Sequence, residues 1–237
     1  MWDNAPLLRT SANALMVMSV LAALYGVAYY AVHKQGSFPL RSVQLSANPL
    51  RVDTAEVLRM VRSEAQGNIF TVDIGHLRQS LEKLSWVRSV SIRREYPYSL
   101  AVQLEEHQVL ARWNDAALVN RQGEEFVAGS GWGAQGREML PEFFGPAGAS
   151  TEVAQQFEQF SRQIVPLGLH VEQLALSARH AWQLRLSNGM VLELGRQDMQ
   201  QRLARFVAVQ KTDELGDVKY VDLRYRNGFA VRQRGRG

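Results

Sequence analysis

The sequence predicts an α+β protein with a single N-terminal transmembrane helix, a βααββ domain, and a second, mostly antiparallel β domain with flanking helices. Three patterns support this prediction. A long uncharged apolar run lies near the N-terminus, a strand–helix–helix–strand–strand order follows it, and the remainder alternates between apolar strands and turn signals. The 237 residues are 46% hydrophobic and 21% charged, so the part outside the apolar run is expected to fold.

The apolar run comprises residues 12–32, which contain no charged side chain. As a helix it would rise about 31 Å, which matches the hydrocarbon core of a membrane. Tyr29 and Tyr30, followed by His33 and Lys34, suit the belt at a membrane interface. A cleaved signal peptide has a shorter apolar core and a small-residue cleavage site, so we interpret the run as a permanent anchor.

The charges beside the apolar run do not orient it. Arg9 precedes the run, whereas Lys34, Arg41 and Arg51 follow it. Counting these charges therefore does not favour a cytoplasmic N-terminus, and the residues alone leave the sidedness open.

A short linker and a small domain are predicted in residues 33–106. Two helices are expected from apolar stripes that begin beside capping aspartates, with Glu56 in a capping-box position, and a hairpin is expected around Tyr96-Pro97-Tyr98. The predicted elements are strand 40–45, a helix capped at Asp53 or Thr54 that carries Val57, Leu58 and Val61, a helix from Asp73 that carries Ile74, Leu77, Leu81 and Leu84, and strands 88–94 and 100–105. Two helices on a three-stranded sheet can bury one shared core.

Residues 107–237 form a second predicted domain, in which strands outnumber helices. The predicted strands are 109–113, 117–119, 171–177, 182–186, 191–194, 220–225 and 229–231, and the predicted helices are 153–164 and 198–209. Asn188-Gly189 predicts a type I′ hairpin. The glycine-rich residues 128–136 and residues 140–148 are predicted to be loops.

No catalytic, metal or cofactor site is predicted. The chain has no cysteine, and none of its five histidines stands in an HExxH motif or a paired helical spacing. The glycines in 129–133 lack the spacing of a phosphate-binding loop. Glu105 and Glu106 are neighbours in a predicted strand, so their side chains point to opposite faces and do not form an acid–base pair.

The net charge of +4 is spread along the chain and does not predict a face that binds nucleic acid. The exception is the basic tail at residues 232–236. We interpret this tail as a solvated terminus, with contact to anionic lipid, nucleic acid or an acidic partner as the alternative.

The final strand is the candidate interaction surface. A C-terminal strand often forms a sheet edge, whose free N–H and C=O groups can accept a strand from a partner. Arg224, Tyr225 and Arg226 beside such an edge would supply charge pairing and an aromatic anchor, as at interface hot spots. An ordinary closing strand with Tyr225 in the core explains the same residues equally well.

Several segments together resemble the FtsQ/DivIB family of bacterial cell-division proteins. The family's POTRA domain and the segment after it are similar to FPLRSVQLSANPLRVDTAEV and LSWVRSVSIRREYPYSLAVQLEEHQVLARW, which follow the apolar helix. Its second, β domain is similar to LSNGMVLELGRQDMQQRLARF and KYVDLRYRNGFAV. The resemblance rests on the order and spacing of these segments, which together cover essentially the whole chain.

The resemblance implies an essential, non-catalytic scaffold of the inner membrane at the division septum, with residues 1–11 in the cytoplasm and the body in the periplasm. It also implies that the protein binds FtsB, and with it FtsL, through the C-terminal strand region. Other division proteins would be met through the POTRA domain and the transmembrane segment. The positions that fall on the family's partner-binding strand are Arg224, Tyr225, Asn227, Gly228 and Phe229, and Arg196 falls on a basic position near the same surface.

Two other classes of protein remain as hypotheses. A membrane-anchored envelope enzyme, for example one that acts on peptidoglycan, would need a convergent acid–base site. A POTRA-type secretion or assembly component would usually carry several such domains or a barrel, and the two amphipathic helices predicted in residues 107–237 argue against a barrel.

Overall fold

The N-terminal helix α1 spans Ala5–His33 in the computed structural model. Its segment Arg9–His33 is long and apolar enough to cross a membrane, and it is not covered by the rest of the protein. The helix extends N-terminally beyond the predicted membrane-spanning residues 12–32, because helical hydrogen bonding does not require apolar side chains and continues through residues such as Arg9 and Thr10. The structure describes residues 5–34, 38–45, 49–114, 116–129, 140–210, 218–226 and 228–233.

The chain divides into two compact units, Met1–Glu106 and His107–Gly237. After α1, the elements of the first unit are β1 (Ser42–Leu45), α2 (Thr54–Glu64), α3 (Ile74–Leu81), β2 (Val87–Glu95) and β3 (Ser99–Glu106). This is the βααββ order that the sequence predicts. The sheet has the order β1-β3-β2, with β1 parallel and β2 antiparallel to β3.

The two helices of the first unit begin where the aspartates predict. Asp53 accepts the N–H of Ala55 at 2.8 Å, and Asp73 accepts the N–H of His76 at 2.9 Å. Each carboxylate thereby satisfies an N–H group that has no partner within the helix. The apolar side chains that these helices and β3 bury in the shared core are Val57, Val61, Leu77, Leu81, Leu100 and Val102.

The carboxylate of Glu106 connects the end of β3 to the segment before α2. Its Oε1 atom accepts the N–H groups of Arg51 and Val52, both at 2.8 Å, and its Oε2 atom accepts the N–H of Leu50 at 3.1 Å. Hydrogen bonds to a charged acceptor are stronger than neutral ones. One side chain therefore fixes three consecutive backbone groups at this end of the sheet.

The described residues of the second unit form one nine-stranded sheet and two α-helices. Its elements are β4 (Val109–Trp113), β5 (Ala117–Asn120), β6 (Glu125–Phe126), β7 (Glu142–Phe144), α4 (Ser150–Ile164), a 3₁₀ turn (Val165–Leu167), β8 (Val171–Leu176), β9 (Trp182–Leu186), β10 (Val191–Gly195), α5 (Met199–Gln210), β11 (Val218–Asp222) and β12 (Ala230–Gln233). The strand order is β12-β11-β10-β9-β8-β7-β4-β5-β6. Most neighbours are antiparallel, but β7 is parallel to both β4 and β8, and β10 is parallel to β11.

Strand β7 corrects the prediction of a loop over residues 140–148. It is three residues long, and Phe143 at its centre is fully buried. So short a strand has no periodicity to detect, since alternation needs at least four residues. The glycine-rich segment predicted as a loop is described only up to residue 129.

The core of the second unit lies between the sheet and the two helices. Phe160 of α4 packs edge to face on Trp182 of β9, with ring centroids 5.9 Å apart. Leu203 and Phe206 of α5 are fully buried in the same core, as the apolar stripe of this helix predicts. Both helices therefore cover the sheet with the faces that the 3.6-residue spacing predicts.

The hairpin between β9 and β10 lies at the predicted place but has a different turn. Gly189 has φ +80°, whereas Asn188 does not have the positive φ that a type I′ turn requires at both central residues. The Gly189 N–H donates to the Leu186 carbonyl at 2.8 Å, and Asn188 Oδ1 accepts the N–H of Met190 at 3.0 Å. The loop thus has three residues and ends in a left-handed glycine, because the Asn188 side chain stabilises this turn.

We expect Glu106→Ala to lower the free energy of unfolding of the first unit by about 2 kcal/mol, because three N–H groups lose a charged acceptor. The matched control is Glu105→Ala. Glu105 is exposed and accepts from Arg88 at 2.8 Å and from the Ser89 hydroxyl at 2.9 Å, so its loss should cost only about 1 kcal/mol. Urea denaturation of the full chain in detergent, with hydrogen exchange measured on peptides from residues 49–106, gives both values. Equal losses for the two variants would contradict the anchoring role of Glu106.

Candidate partner-binding edge

The parallel pair β10 and β11 builds the end of the sheet at which the candidate site lies. The register places Val191 opposite Tyr220 and Glu193 opposite Asp222. Parallel strands cannot be joined by a tight turn. Helix α5 lies between the two strands in the chain and packs its apolar side on the core.

Strand β12 is the last strand at this end of the sheet. It runs antiparallel to β11, with Asp222 opposite Ala230 and Val221 opposite Val231. Among the described residues, no strand pairs with the outer side of β12. Val231 is 44% exposed on this strand. The sheet therefore ends in an edge that can accept a further strand.

The strand predicted over residues 220–225 ends early: its first three residues lie on β11, whereas residues 223–225 lie between two strands. Strand β11 ends at Asp222, and β12 begins at Ala230. The reason is local: the Asp222 carboxylate accepts the N–H of Arg224 at 3.0 Å, which turns the chain away from the sheet. Arg224 and Tyr225 therefore lie in the connection that leads into the edge strand.

Asp222 and Arg224 form a two-point ion pair at the end of β11. Arg224 Nε donates to Oδ1 at 2.8 Å, and Nη2 donates to Oδ2 at 2.6 Å. Asp222 is only 7% exposed, whereas the Arg224 side chain is 60% exposed. The hydrogen bonds from Arg224 hold the pKa of the Asp222 carboxyl below its usual range, although burial opposes them. The same pair raises the pKa of Arg224, so the guanidinium stays charged.

Gly195 at the end of β10 brings the predicted basic residue Arg196 next to this ion pair. Its φ is +75°, and a β-carbon added to it would lie 3.1 Å from Arg224 Cγ and 2.9 Å from Arg202 Nη1. Arg202 in turn donates to the Leu194 carbonyl at 2.7 Å. Arg196 is exposed and follows Gly195 directly, so its backbone lies beside Arg224.

The remaining predicted site residues divide between surface and core. Tyr225 is 57% exposed, which excludes the alternative in which its ring belongs to the core. Phe229 is half-buried and packs against the hydrophobic core. Gly228 has open space where a β-carbon would stand. Asn227 lies outside the described residues.

Three further residues of the site, Arg205, Tyr220 and Asp222, were not singled out from the sequence, and Arg232 was predicted only as part of the basic tail. Arg205 of α5 donates to the carbonyl of Arg226, and the guanidinium of Arg232 lies 5.4 Å from the ring centroid of Tyr220. Burial, together with Glu193 and Asp222, raises the pKa of Tyr220. Tyr220 and Arg232 lie opposite each other on β11 and β12. Their proximity depends on how the two strands pair, which residue spacing does not reveal. Asp222 could have been found, because an Asp side chain in a turn often accepts the backbone N–H two residues further on.

The groups that the described site presents are ones that make non-covalent contacts. In the part of the chain that the structure describes, no three His, Asp or Glu side chains come together as a metal-binding group. What the site offers is a row of backbone groups, exposed guanidinium groups and one exposed phenol ring.

We expect Asp222→Asn to lower stability at neutral pH and to have less effect as the pH falls. The carboxyl has a lower pKa in the folded protein than in the unfolded chain, so its contribution to stability is fully present above the unfolded pKa of about 4. That contribution is lost as the pH falls through the lower, folded value. Urea denaturation of both proteins at pH 7, 5, 4 and 3 measures the difference. A difference that stays constant down to pH 3 would contradict this role for the ion pair.

We expect Gly195→Ala to destabilise the second unit more than Gly189→Ala does. Both glycines have a positive φ, so both variants bear the left-handed strain of about 1 kcal/mol. Only the β-carbon at position 195 meets neighbouring atoms, whereas the space around Gly189 is open. Thermal unfolding gives the difference in stability. A shift of the Arg224 side-chain NMR signals in Gly195→Ala alone would report its displacement, and equal effects of the two variants would refute the crowding.

Comparison with known proteins places this architecture in a family. The family model described as cell division protein FtsQ/DivIB, C-terminal, matches residues 111–224, and the model of the FtsQ-type POTRA domain matches residues 38–107. Cell division protein FtsQ of Nitrosospira multiformis is 40% identical over 98% of this chain and 99% of its own length. The FtsQ proteins of Burkholderia pseudomallei and Bordetella pertussis are each 36% identical, over 99% and 98% of this chain and 95% and 92% of their own lengths. The chain therefore belongs to the FtsQ family of cell division proteins.

Proposed function

We propose that this chain is a non-catalytic scaffold of the division machinery that binds a strand of an FtsB-type partner along β12, and FtsL together with it. The observation that carries the proposal is the unpaired outer side of β12 within the described part of the sheet. An extended peptide that pairs with such an edge gains a ladder of main-chain hydrogen bonds. The family assignment favours the scaffold over an envelope enzyme and over a secretion component.

The charge beside the edge supports an acidic partner. From Leu223 to Gln233 the chain has three arginines and no acidic residue. The nearest carboxylates are engaged within the protein, Asp222 by Arg224 and Glu193 by the amide of Gln183. Arginines that lie around a backbone edge can pair with partner carboxylates and increase the association rate.

Tyr225 supplies the apolar part of the proposed surface. Its ring is exposed in the connection just before β12, and Val231 is exposed on the strand itself. Tyrosine combines a large apolar area with a polar end and is enriched among interface hot spots. The proposed surface is thus a hydrogen-bonding edge with one aromatic anchor and an arginine rim formed by Arg196, Arg224 and Arg226.

The membrane arrangement belongs to the same proposal. Residues 12–32 within α1 would span the inner membrane, residues 1–11 would lie in the cytoplasm, and the body would lie in the periplasm at the septum. Confinement of the chain and its partners to one membrane raises their effective concentration, so a strand-addition interface of modest affinity suffices. The first unit, 33–106, and the transmembrane segment would meet other division proteins.

The test is calorimetric titration of the full chain in nanodiscs with a synthetic peptide from the periplasmic part of FtsB. We expect Tyr225→Ala to weaken binding about tenfold or more, because the aromatic anchor is lost, and Arg196→Glu to weaken it because the charge is reversed. Tyr225→Phe should retain most of the affinity. Arg121→Glu is the matched control, since Arg121 is exposed beside β5 and β6 at the other end of the strand order.

Backbone N-methylation of the peptide tests strand addition without changing the protein. Methyl groups on the amides that face β12 should abolish binding, whereas those on alternate amides should be tolerated. Binding that is insensitive to N-methylation at every position would refute strand addition. Unchanged affinity in Tyr225→Ala would refute the anchor. Arg224→Glu should also weaken binding, but it removes the partner of buried Asp222 and is therefore the less specific test.

A further inference from the structure

Three aromatic rings in the first unit form an exposed cluster, which we call the aromatic patch: Phe38, Phe70 and Tyr96. Phe38 and Phe70 are each 41% exposed, and Tyr96 is 64% exposed. The ring centroids of Phe38 and Phe70 are 5.1 Å apart, and those of Phe70 and Tyr96 are 5.6 Å apart. A contiguous exposed apolar surface, unlike single exposed residues, indicates a binding surface.

The backbone holds this patch in place. Asn68 is buried, and its Oδ1 accepts the N–H groups of Phe70 at 2.9 Å and Thr71 at 3.0 Å. Arg94 of β2 donates to the carbonyls of Ile69 at 2.7 Å and Val72 at 3.0 Å. The loop that carries Phe70 is therefore fixed to the strand that leads to Tyr96.

The patch lies close to the end of helix α1. Phe38 is five residues after His33, so the chain between them spans at most about 18 Å. The Phe38 carbonyl accepts the N–H of Ile69 at 3.2 Å, and the Asn68 side-chain amide donates to the carbonyl of Val32 at 2.5 Å. A helix that crosses a membrane therefore brings these three rings to the membrane surface on which it ends.

The charges around the patch suit lipid headgroups. Lys34 follows α1, Arg41 stacks on Tyr98 with its guanidinium carbon 4.6 Å from the ring centroid, and Arg94 lies on β2. Glu95 is the acidic residue next to Tyr96. Aromatic rings are favoured at the headgroup level, and basic side chains are attracted to lipid phosphates.

We infer that the aromatic patch binds the phospholipid headgroup layer beside α1 and seats the βααββ domain on the membrane surface. The inference rests on the proposed membrane anchorage of α1. It assigns the rings a lipid surface and not a protein partner, because the short connection from α1 and the basic residues are both present at the patch.

The test uses the full chain in vesicles of phosphatidylethanolamine and phosphatidylglycerol. Because the chain has no cysteine, single cysteines can carry an environment-sensitive fluorophore, and spin-labelled lipids quench a fluorophore that lies at their depth.

Glu95→Cys reports on the patch and leaves all three rings in place. Leu50→Cys is the matched control: Leu50 is 93% exposed and hydrogen-bonded to Glu106, at the far end of β2 and β3. That end is about 26 Å away along β2. Val20→Cys, in the middle of α1, reports on anchorage.

We expect quenching by headgroup-labelled lipid at Glu95, quenching by chain-labelled lipid at Val20, and neither above background at Leu50. Adding Phe70→Ser and Tyr96→Ser should abolish the signal of the Glu95→Cys protein, whereas the same two substitutions should leave the signal of the Val20→Cys protein unchanged. Equal signals at Glu95 and Leu50, or a Glu95 signal that survives loss of the two rings, would overturn the inference while anchorage stands. Loss of the Val20 signal would overturn anchorage itself. A Glu95 signal that depends on the ratio of protein to lipid would indicate contact between copies and would also overturn it.

Discussion

The parallel pairing of β10 with β11 is the interaction on which the candidate site depends. It brings two segments that are far apart in the chain to the same end of one sheet, so that Gly195 lies against Arg224 and Glu193 lies opposite Asp222. It also makes β11 the support for one further strand. Because β12 returns antiparallel along β11, the described part of the sheet ends in a strand with one neighbour. The edge and its arginines are thus two results of a single pairing.

The ion pair of Asp222 and Arg224 reconciles a buried carboxylate with a basic surface. A buried charge without a partner would cost several kcal/mol, and Arg224 removes that cost with two side-chain hydrogen bonds. The same arginine remains largely exposed on its outer side. The ion pair with Arg224 therefore neutralises the Asp222 carboxylate, and exposed guanidinium groups remain beside β12. The turn at Asp222 also places Tyr225 outside the sheet, where its ring stays in solvent.

Sequence patterns between neighbouring residues predicted much of this fold. The features that they did not predict depend on pairing between strands and on side-chain contacts. Asp53 and Asp73 cap their helices because capping involves only neighbouring residues, and the hairpin of β2 and β3 follows from alternation around one turn. Strand β7 was not predicted, because three residues are too few to show the alternation of apolar and polar side chains. The strand predicted through Tyr225 was too long, because alternation continues past the turn that the Asp222 side chain imposes. The resemblance identified positions in the candidate site, but their arrangement around Asp222 depends on strand order, which periodicity does not contain.

A strand with one neighbour has a thermodynamic consequence for any complex that forms on it. Strand β12 is held by four register pairs and by the packing of Phe229 on the core, so its detachment costs less than unfolding of the whole unit. A partner that pairs with its outer side binds only the attached form, so occupancy and attachment are linked equilibria. Measured affinity then includes the free energy of keeping the strand attached. Any complex on this edge would therefore depend also on buried residues that hold β12 in place, such as Val221, which lies opposite Val231.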